Sequence, residues 1–299
     1  MAGDAVHPLI DAELIEQVQQ FSLRIALAGK GGRLAEQKTS AKGQGLEFAD
    51  YKPYVAGDEL RAIDWHIYRR LGRLFVRVFE EQQNLPVYIL LDHSASLFCE
   101  TPSRFSAAQR CALALGAIAL QQQDAVRVFP FADKLNNHFK ALSGKHQLFT
   151  LAEQLQHHQP VNDSDITAAL TEFAGYPLRK GLVIVISDYF NNSGMSAVLD
   201  ALSLVQHNKL LIQLTQPWDA DPRHLQASGD VRFEDAESEV TVDLQLSPAV
   251  IKAYTEAYQH FNQQLSQYAS DTGTGLLQLD ASGAILAQLS ALFEKGMVA

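Results

Sequence analysis

After residue 85, short apolar runs alternate with longer amphipathic stretches. The short runs are rich in β-branched residues and end at polar positions, which is typical of buried strands. They cover residues 87–91, 125–131, 182–187, 209–214 and 276–279. The longer stretches carry apolar residues on one helical face; they cover residues 103–123, 147–155, 166–173, 195–206, 248–268 and 285–293. The alternation predicts an α/β fold, with a mostly parallel sheet and helices on both faces.

The N-terminal residues 1–84 follow a different pattern and predict a separate α+β module. Its predicted elements are a helix over residues 9–28, an exposed Gly- and Lys-rich connection over 30–45, extended chain over 46–54, a helix capped by Asp58 with apolar positions from Leu60 to Leu71, and a strand over 74–79. Residues 85–299 then form the α/β domain. Within that domain, two strand-like runs flank the acidic stretch 234–239, which predicts an inserted β-hairpin at about residues 229–244.

Charge is distributed unevenly along the 299 residues, whose net charge is −10. Residues 24–77 hold 11 Lys and Arg against 6 Asp and Glu, which leaves 13 against 28 elsewhere. This basic third suits an acidic protein, an anionic membrane surface or nucleic acid. The alternative is that its arginines pair with the acidic remainder of the chain.

Other sequence features exclude several classes of protein. No apolar run approaches the roughly 20 residues that a membrane-spanning helix needs, and the acidic N-terminus lacks the order of a secretory signal. We therefore expect a cytoplasmic protein. The two cysteines, Cys99 and Cys111, form no C-x-x-C pair, which argues against a disulfide framework or a zinc ribbon.

The most informative motif is D-x-S-x-S, formed by Asp92, Ser94 and Ser96 where the first strand of the α/β domain ends. This spacing can direct one carboxylate and two hydroxyls into a crevice above the sheet. Oxygen-only ligands suit a hard divalent cation, Mg²⁺ above all. The alternative is that Asp92 caps the next helix while the serines line the loop.

Two further polar positions follow predicted strands or precede predicted helices. Asp188 comes directly after the strand 182–187, and the loop 162–165 supplies Ser164 before the helix that begins at residue 166, with Thr167 in its first turn. Ligands of open α/β sheets bind beyond the carboxyl ends of the strands. We therefore expect these side chains to converge on Asp92.

Together, these three features resemble the metal-ion-dependent adhesion site of von Willebrand factor A domains, a Rossmann-type fold. The resemblance implies that Ser94 and Ser96 coordinate Mg²⁺, or Mn²⁺ or Ca²⁺ in its place, and that Asp92 and Asp188 act largely through water. Ser164 stands where that family carries a Thr and keeps the hydroxyl, although the family's preceding glycines are absent. A partner's Asp or Glu would then complete the coordination of the metal.

A second resemblance lies further upstream. Three segments are similar to the bacterial domain of unknown function fifty-eight. They are Gly43–Phe48, the string Gly-Asp-Glu-Leu-Arg-Ala-Ile-Asp-Trp at residues 57–65, and Arg77–Glu81. Members of that family carry a von Willebrand A-like domain and are typically encoded beside a MoxR-type AAA+ ATPase. The resemblance implies a non-enzymatic, Mg²⁺-dependent protein-interaction module. It would act with such an ATPase in assembling, activating or remodelling a client protein.

The residues of the upstream string have two alternative roles. Asp58 is expected to cap a helix, Arg61 and Asp64 to form an ion pair, and Trp65 to offer a large apolar face. In one interpretation they are a buried ion pair and an anchor that pins the N-terminal module to the sheet. In the other they form a partner-docking surface.

Enzymatic activity finds little support in the sequence. The chain has no G-x-S-x-G and no Walker A motif, and the nearest imidazole to Asp92 is the adjacent His93. A metal-dependent hydrolase is the alternative function, and a binder of nucleic acid through the basic third is another.

Overall fold

The computed structural model describes most of the chain, in nine ranges: residues 14–20, 46–56, 58–81, 85–136, 139–156, 160–161, 164–225, 230–234 and 241–294. The predicted connection 30–45, most of the predicted helix 9–28 and the hairpin tip 235–240 lie outside these ranges, as do Gly57, Asn162 and Asp163. The chain divides into two compact units, of which one comprises residues 1–29 with 85–299 and the other residues 30–84.

Helices and strands are numbered in chain order. The helices are α1 (residues 14–20), α2 (Trp65–Leu71), α3 (Arg104–Gln121), α4 (Leu148–Gln156), α5 (Ile166–Ala174), α6 (Gly194–Leu204), α7 (Pro217–Ala220), α8 (Pro248–Thr272) and α9 (Ile285–Glu294). The strands are β1 (Leu46–Pro53), β2 (Phe75–Glu81), β3 (Pro86–Asp92), β4 (Ala125–Phe131), β5 (Leu142–Ser143), β6 (Leu182–Ser187), β7 (Asn208–Thr215), β8 (Asp230–Glu234), β9 (Thr241–Gln245) and β10 (Gly275–Asp280).

The smaller unit is built on an antiparallel pair. Strand β1 pairs with β2, and the chain between them forms a short 3₁₀ helix at Leu60–Ala62 followed by α2. The sequence predicted one continuous helix here, which is wrong. Ile63 has an extended backbone and bridges Val76 of β2, because its side chain is buried there, and this breaks the helical path.

The larger unit contains a six-stranded sheet in the order β10-β7-β6-β3-β4-β5. Every neighbouring pair is parallel except β4 and β5, which are antiparallel. Helices cover both faces, so the predicted α/β fold with a mainly parallel sheet is confirmed. In the same unit, β8 and β9 pair antiparallel where the sequence predicts a hairpin.

Strand β3 lies inside the sheet and is buried along its whole length. Its side chains alternate between two hydrophobic cores: Ile89 packs in the core that includes residues of α3, α4 and α9, whereas Leu90 packs in the core that includes residues of α5, α6 and α8. Burial on both faces explains why this strand is an unbroken apolar run rather than an alternating one. No helix among the described residues is both long and apolar enough to cross a membrane.

The order of the strands makes the position next to β3 a topological switch point, where open α/β sheets form a crevice. From β3 the chain passes to β4 on one side, and it later returns to place β6 on the other side. In open α/β sheets the ligand site lies where such connections diverge, beyond the carboxyl ends of the strands. Here those ends are Asp92 and, directly after Ser187, Asp188.

Candidate functional site

Asp92 lies at the carboxyl end of β3 and is only 2% exposed. Its Oδ1 accepts a hydrogen bond of 2.9 Å from the backbone N–H of Ser94, and its Oδ2 accepts one of 2.6 Å from the hydroxyl of Ser187. The carboxylate is therefore held by the loop that follows β3 and by the last residue of β6. The 3₁₀ helix that follows begins after Ser94 and receives no side-chain cap.

The two hydroxyls of the motif face each other. The Oγ atoms of Ser94 and Ser96 lie 3.1 Å apart, with Ser94 buried and Ser96 half-buried. Ser94 precedes the 3₁₀ helix and Ser96 lies in its first turn, so this contact spans the start of the helix. The motif thus brings its two hydroxyls together directly after β3.

Asp188 follows β6 directly and is also buried. Its Oδ1 accepts a 3.1 Å hydrogen bond from the backbone N–H of Phe190, and its Oδ2 accepts a 3.2 Å hydrogen bond from Nη1 of Arg104. Tyr189, the next residue, has a left-handed backbone (φ 65°) and is buried. Such strained positions cluster at functional sites.

Ser187 joins the two strand ends. Its Oγ donates to Asp92 and accepts a 2.9 Å hydrogen bond from the backbone N–H of Tyr189. Ser187 is not among the predicted site residues, although it is the last residue of a predicted strand and stands directly before Asp188, which is a usable signal. It connects the predicted site residues Asp92 and Asp188.

Ser164 occupies the neighbouring loop. The chain at Val161 forms a parallel bridge with Ser94, and the backbone N–H of Ala95 donates to the carbonyl of Val161 at 2.9 Å. Ser164 is half-buried three residues later and precedes Asp165, which caps α5 by accepting from the N–H groups of its first turn. Within the described ranges, no hydrogen bond joins Ser164 to the other four predicted residues, so it lies in the adjoining loop rather than in the hydrogen-bonded cluster.

Burial dominates the electrostatics of the site. It raises the pKa of Asp92, against which the hydrogen bonds from Ser187 and Ser94 act. Burial and the nearby charge of Asp92 raise the pKa of Asp188 to about 7, and the Arg104 guanidinium opposes this rise. Two carboxylates that are costly to ionise together therefore face the same crevice.

Arg104, the only buried Lys or Arg among the described residues, is also absent from the predicted site residues. Its guanidinium contacts Asp188, Asp219 at 2.5 Å and Glu100 at 3.1 Å. Its pair with Glu100, four residues earlier, is a local signal, but Asp188 and Asp219 are 84 and 115 residues away in sequence, so the network cannot be recognised from the sequence.

The residues of the upstream string do not form the predicted arrangement. Asp58 accepts from Lys52 and from the backbone N–H of Val55 rather than capping a helix. The cap of α2 is Asp64, which accepts from the N–H groups of His66 and Ile67. Asp64 also accepts from Tyr51, and its ion pair is with Arg77 rather than Arg61.

Trp65 is not the buried anchor that one interpretation predicted. It is 58% exposed, and its ring meets that of Tyr68 edge to face at 6.0 Å. Helix α2 has no buried residue, and Tyr68 and Leu71 are exposed beside Trp65. The apolar side chains at these three positions, spaced by three, therefore face solvent.

The donors around Asp92 define what the site can do. Among the described residues, no group of three or more His, Cys, Asp or Glu side chains is placed to hold a metal ion, so a cation site there has to include hydroxyl ligands. Asp92, Ser94 and Ser96 offer only oxygen atoms, which favours Mg²⁺ or another hard cation over zinc or copper.

Comparisons with known proteins relate most of the chain to bacterial proteins. A family model described as "Protein of unknown function DUF58" matches residues 50–264. An uncharacterized protein of Mycobacterium bovis is 25% identical over 250 residues, which cover 79% of this chain and 75% of that protein, and an uncharacterized protein of Mycobacterium tuberculosis gives the same values. A solved aerotolerance-related membrane protein from Bacteroides fragilis, with multiple mutations to serines, is 18% identical; 72% of this chain and all of that chain are covered, with a TM-score of 0.43.

Proposed function

The chain belongs to the DUF58 family of proteins of unknown function, and we propose that it is a non-enzymatic protein-interaction module built on a divalent-cation site. Ser94 and Ser96 would hold the ion directly, Asp92 and Asp188 would hold it largely through water, and Ser164 would add a hydroxyl from the neighbouring loop. This is the arrangement of the metal-ion-dependent adhesion site of von Willebrand factor A domains, which the D-x-S-x-S motif resembles.

The observation that carries the proposal is the burial of Asp92 without a protein cation. Within the described residues, no Lys or Arg makes an ion pair with Asp92, although this residue is only 2% exposed. A buried charge is normally paired or coordinates a metal, because its transfer from water is costly. A bound cation would supply the missing charge, and the raised pKa of Asp92 shows the cost that such an ion would remove.

The spacing of the hydroxyls is compatible with Mg²⁺. Neighbouring ligands of an octahedral ion with bonds of about 2.1 Å lie about 3 Å apart. The Oγ atoms of Ser94 and Ser96 are separated by 3.1 Å. The two hydroxyls could therefore occupy adjacent positions on one ion without rearrangement.

The chemistry of the donors favours adhesion over catalysis. Neutral hydroxyls reduce the charge of Mg²⁺ less than carboxylates would, so the ion keeps its attraction for a further anionic ligand. A carboxylate from the Asp or Glu of a second protein can satisfy that attraction. The metal would then act as a charge-specific link between this chain and a client protein.

The partner proposed beside the client is a MoxR-type AAA+ ATPase. Its support is the resemblance of residues 43–48, 57–65 and 77–81 to a family typically encoded beside such an ATPase, together with the family match itself. In this proposal the ATPase supplies the energy of remodelling, while the metal site recognises the client.

Binding between the two purified proteins tests this function. The chain is immobilised, and its binding to the MoxR-type ATPase encoded by the same organism is measured with Mg²⁺ and with EDTA, with and without ATP. Two results together support the proposal. The first is binding of the ATPase, and the second is capture of a client protein that is abolished both by EDTA and by Asp92→Asn. Capture that is unchanged by EDTA and by the substitution contradicts it.

A metal-dependent hydrolase is the outcome that would replace this proposal. It is tested by incubating the Mg²⁺- or Mn²⁺-loaded protein with phosphoester and peptide substrates. Turnover by the wild-type chain that the Asp92→Asn variant lacks would identify the site as catalytic rather than adhesive. We expect none above the rate of that variant.

A further inference from the structure

Arg104 connects the proposed metal site to a second part of the molecule. Its Nη1 donates to Asp188 at 3.2 Å, and its Nη2 donates to Asp219 at 2.5 Å and to Glu100 at 3.2 Å. Arg104 is only 5% exposed, so these contacts are made away from bulk water. One guanidinium thus faces three carboxylates, and only Asp188 belongs to the metal site.

The other end of this network is the turn at residues 216–219, which comprises Gln216 after β7 and the first three residues of α7. Asp219 accepts a 2.8 Å hydrogen bond from the backbone N–H of Gln216 and forms a capping box with it. The indole N–H of Trp218 donates to Glu100 at 3.1 Å. The turn at residues 216–219 is therefore held to Arg104 both through Asp219 and through Glu100.

We propose that Arg104 is a positioning residue, which orients the Asp188 carboxylate for the cation and transmits occupancy of the site to the turn at residues 216–219. This inference rests on the proposed metal site and names a regulation of it. Both oxygens of Asp188 are already engaged, Oδ1 by Phe190 and Oδ2 by Arg104, so its carboxylate has one orientation.

Transmission follows from competition for charge. A divalent ion close to Asp188 draws on the same carboxylate that Arg104 contacts. The ion pair of the guanidinium with Asp188 then weakens, and its ion pairs with Asp219 and Glu100 strengthen. Because Trp218 donates to Glu100, its indole senses the change.

Positioning and simple repulsion predict different results for both substitutions. If Arg104 acted only by its charge, Arg104→Gln would remove a cation near the site and tighten Mg²⁺ binding, and Arg104→Lys would leave the affinity unchanged. If Arg104 positions Asp188 through its planar fork, both substitutions weaken binding, since Lys cannot reproduce the three-way contact. Loss of residues that orient a metal site typically costs 10- to 100-fold in affinity.

Calorimetric titration with MgCl₂ measures the first effect. We expect Arg104→Lys and Arg104→Gln to weaken Mg²⁺ binding about tenfold or more. Arg110→Lys, an exposed arginine on the same helix α3, is the matched control and should leave the affinity unchanged. Unchanged or tighter binding by both Arg104 variants overturns the positioning role.

Tryptophan fluorescence measures the second effect and does not require a folded Arg104 variant. The chain has two tryptophans, so Trp65→Phe leaves Trp218 as the sole emitter. We expect its emission to change with the same dependence on Mg²⁺ concentration as the calorimetric heat. Glu100→Gln keeps an acceptor oxygen for the indole but removes the charge, and should strongly reduce the response.

The outcomes separate this inference from the proposed function. No saturable heat from the wild-type chain overturns the metal site, and the role of Arg104 with it. Saturable heat with a silent Trp218 overturns the transmission alone and leaves the metal site standing. Saturable heat, a matching Trp218 response and weaker binding by the Arg104 variants support the full inference.

Discussion

The hydroxyl of Ser187 donates to Oδ2 of Asp92 across 2.6 Å, although 95 residues separate the two in sequence. This bond joins the ends of β3 and β6 and holds the two carboxylates of the proposed site at one crevice. It is the only hydrogen bond from a side chain of β6 to Asp92 within the described residues, so its removal is a direct test of how the site is held.

Ser187→Ala should destabilise the fold and weaken cation binding together. It removes a donor from a buried carboxylate, which typically costs about 1–3 kcal/mol. The free energy of unfolding from urea titration and the Mg²⁺ affinity measure the two effects. Ser203→Ala, on the exposed side of α6, removes a hydroxyl that bonds only to Leu199 within its own helix and is the control. Equal stability of the two variants would contradict the assigned role of Ser187.

Mg²⁺ should stabilise the chain, and Asp92→Asn should remove that effect. A ligand present at 100 times its Kd stabilises the folded state by about 2.7 kcal/mol. Without the ion, Asp92→Asn should be at least as stable as the wild type at neutral pH, because it removes one of the two buried carboxylates of the proposed site, Asp92 and Asp188. Melting temperatures with and without Mg²⁺ measure both effects.

The control for this measurement is Asp200→Asn, which changes an exposed aspartate on α6. It should keep the full Mg²⁺-dependent rise in melting temperature. A rise of the same size in Asp92→Asn would show that the ion stabilises the chain elsewhere.

Asp124 predicts a pH dependence far from the site. Burial raises the pKa of this carboxyl to about 6, against a 2.7 Å hydrogen bond from the backbone N–H of Leu85. Because the folded state then binds the proton more tightly than the unfolded state, the contribution of Asp124 to wild-type stability falls as pH rises from about 4 to about 6. Asp124→Asn keeps the acceptor oxygen and lacks this fall. The difference in unfolding free energy, variant minus wild type, should therefore rise over this window; a flat difference would contradict the raised pKa.

Trp65→Ala should leave stability nearly unchanged. Its side chain is 58% exposed, and substitutions at exposed positions usually stay within about 0.5 kcal/mol. Ile63→Ala, two residues earlier and buried against β2, should cost about 2–5 kcal/mol. A large loss of stability in the Trp65→Ala variant would support the interpretation of Trp65 as a structural anchor, which its exposure contradicts.

Much of the fold could be predicted from periodicity. Strands β4 and β6 begin and end at the predicted residues. In β6, apolar side chains on both faces make a run from Leu182 to Ile186 that ends at the polar Ser187, whereas in β4 the β-branched and aromatic residues outweigh the single interruption by Arg127. The path from Leu60 to Leu71 could not be predicted, because the burial of Ile63 against Val76 is a tertiary contact that overrides helical spacing. Asp58 and Asp64 both precede turns, and only the structure shows that Asp64 is the cap.

The residues of the proposed site also differ in whether a local pattern identifies them. Asp92, Ser94 and Ser96 could be identified from one short motif, and Asp188 from its position after a strand. Ser187 and Arg104 act through contacts that are distant in sequence, and Arg104 is the kind of residue that is usually exposed. Its burial among Asp188, Asp219 and Glu100 is visible only in the folded chain.

The most direct test of the cation site is titration of the wild-type chain with MgCl₂ by isothermal titration calorimetry, compared with the Ser94→Ala/Ser96→Ala double variant. The double variant keeps both carboxylates and removes only the two facing hydroxyls, so non-specific attraction of the ion to Asp92 and Asp188 is retained. We predict saturable binding of one ion by the wild-type chain and no saturable heat from the variant. Identical heats from the two proteins, or none from the wild type, would contradict the site.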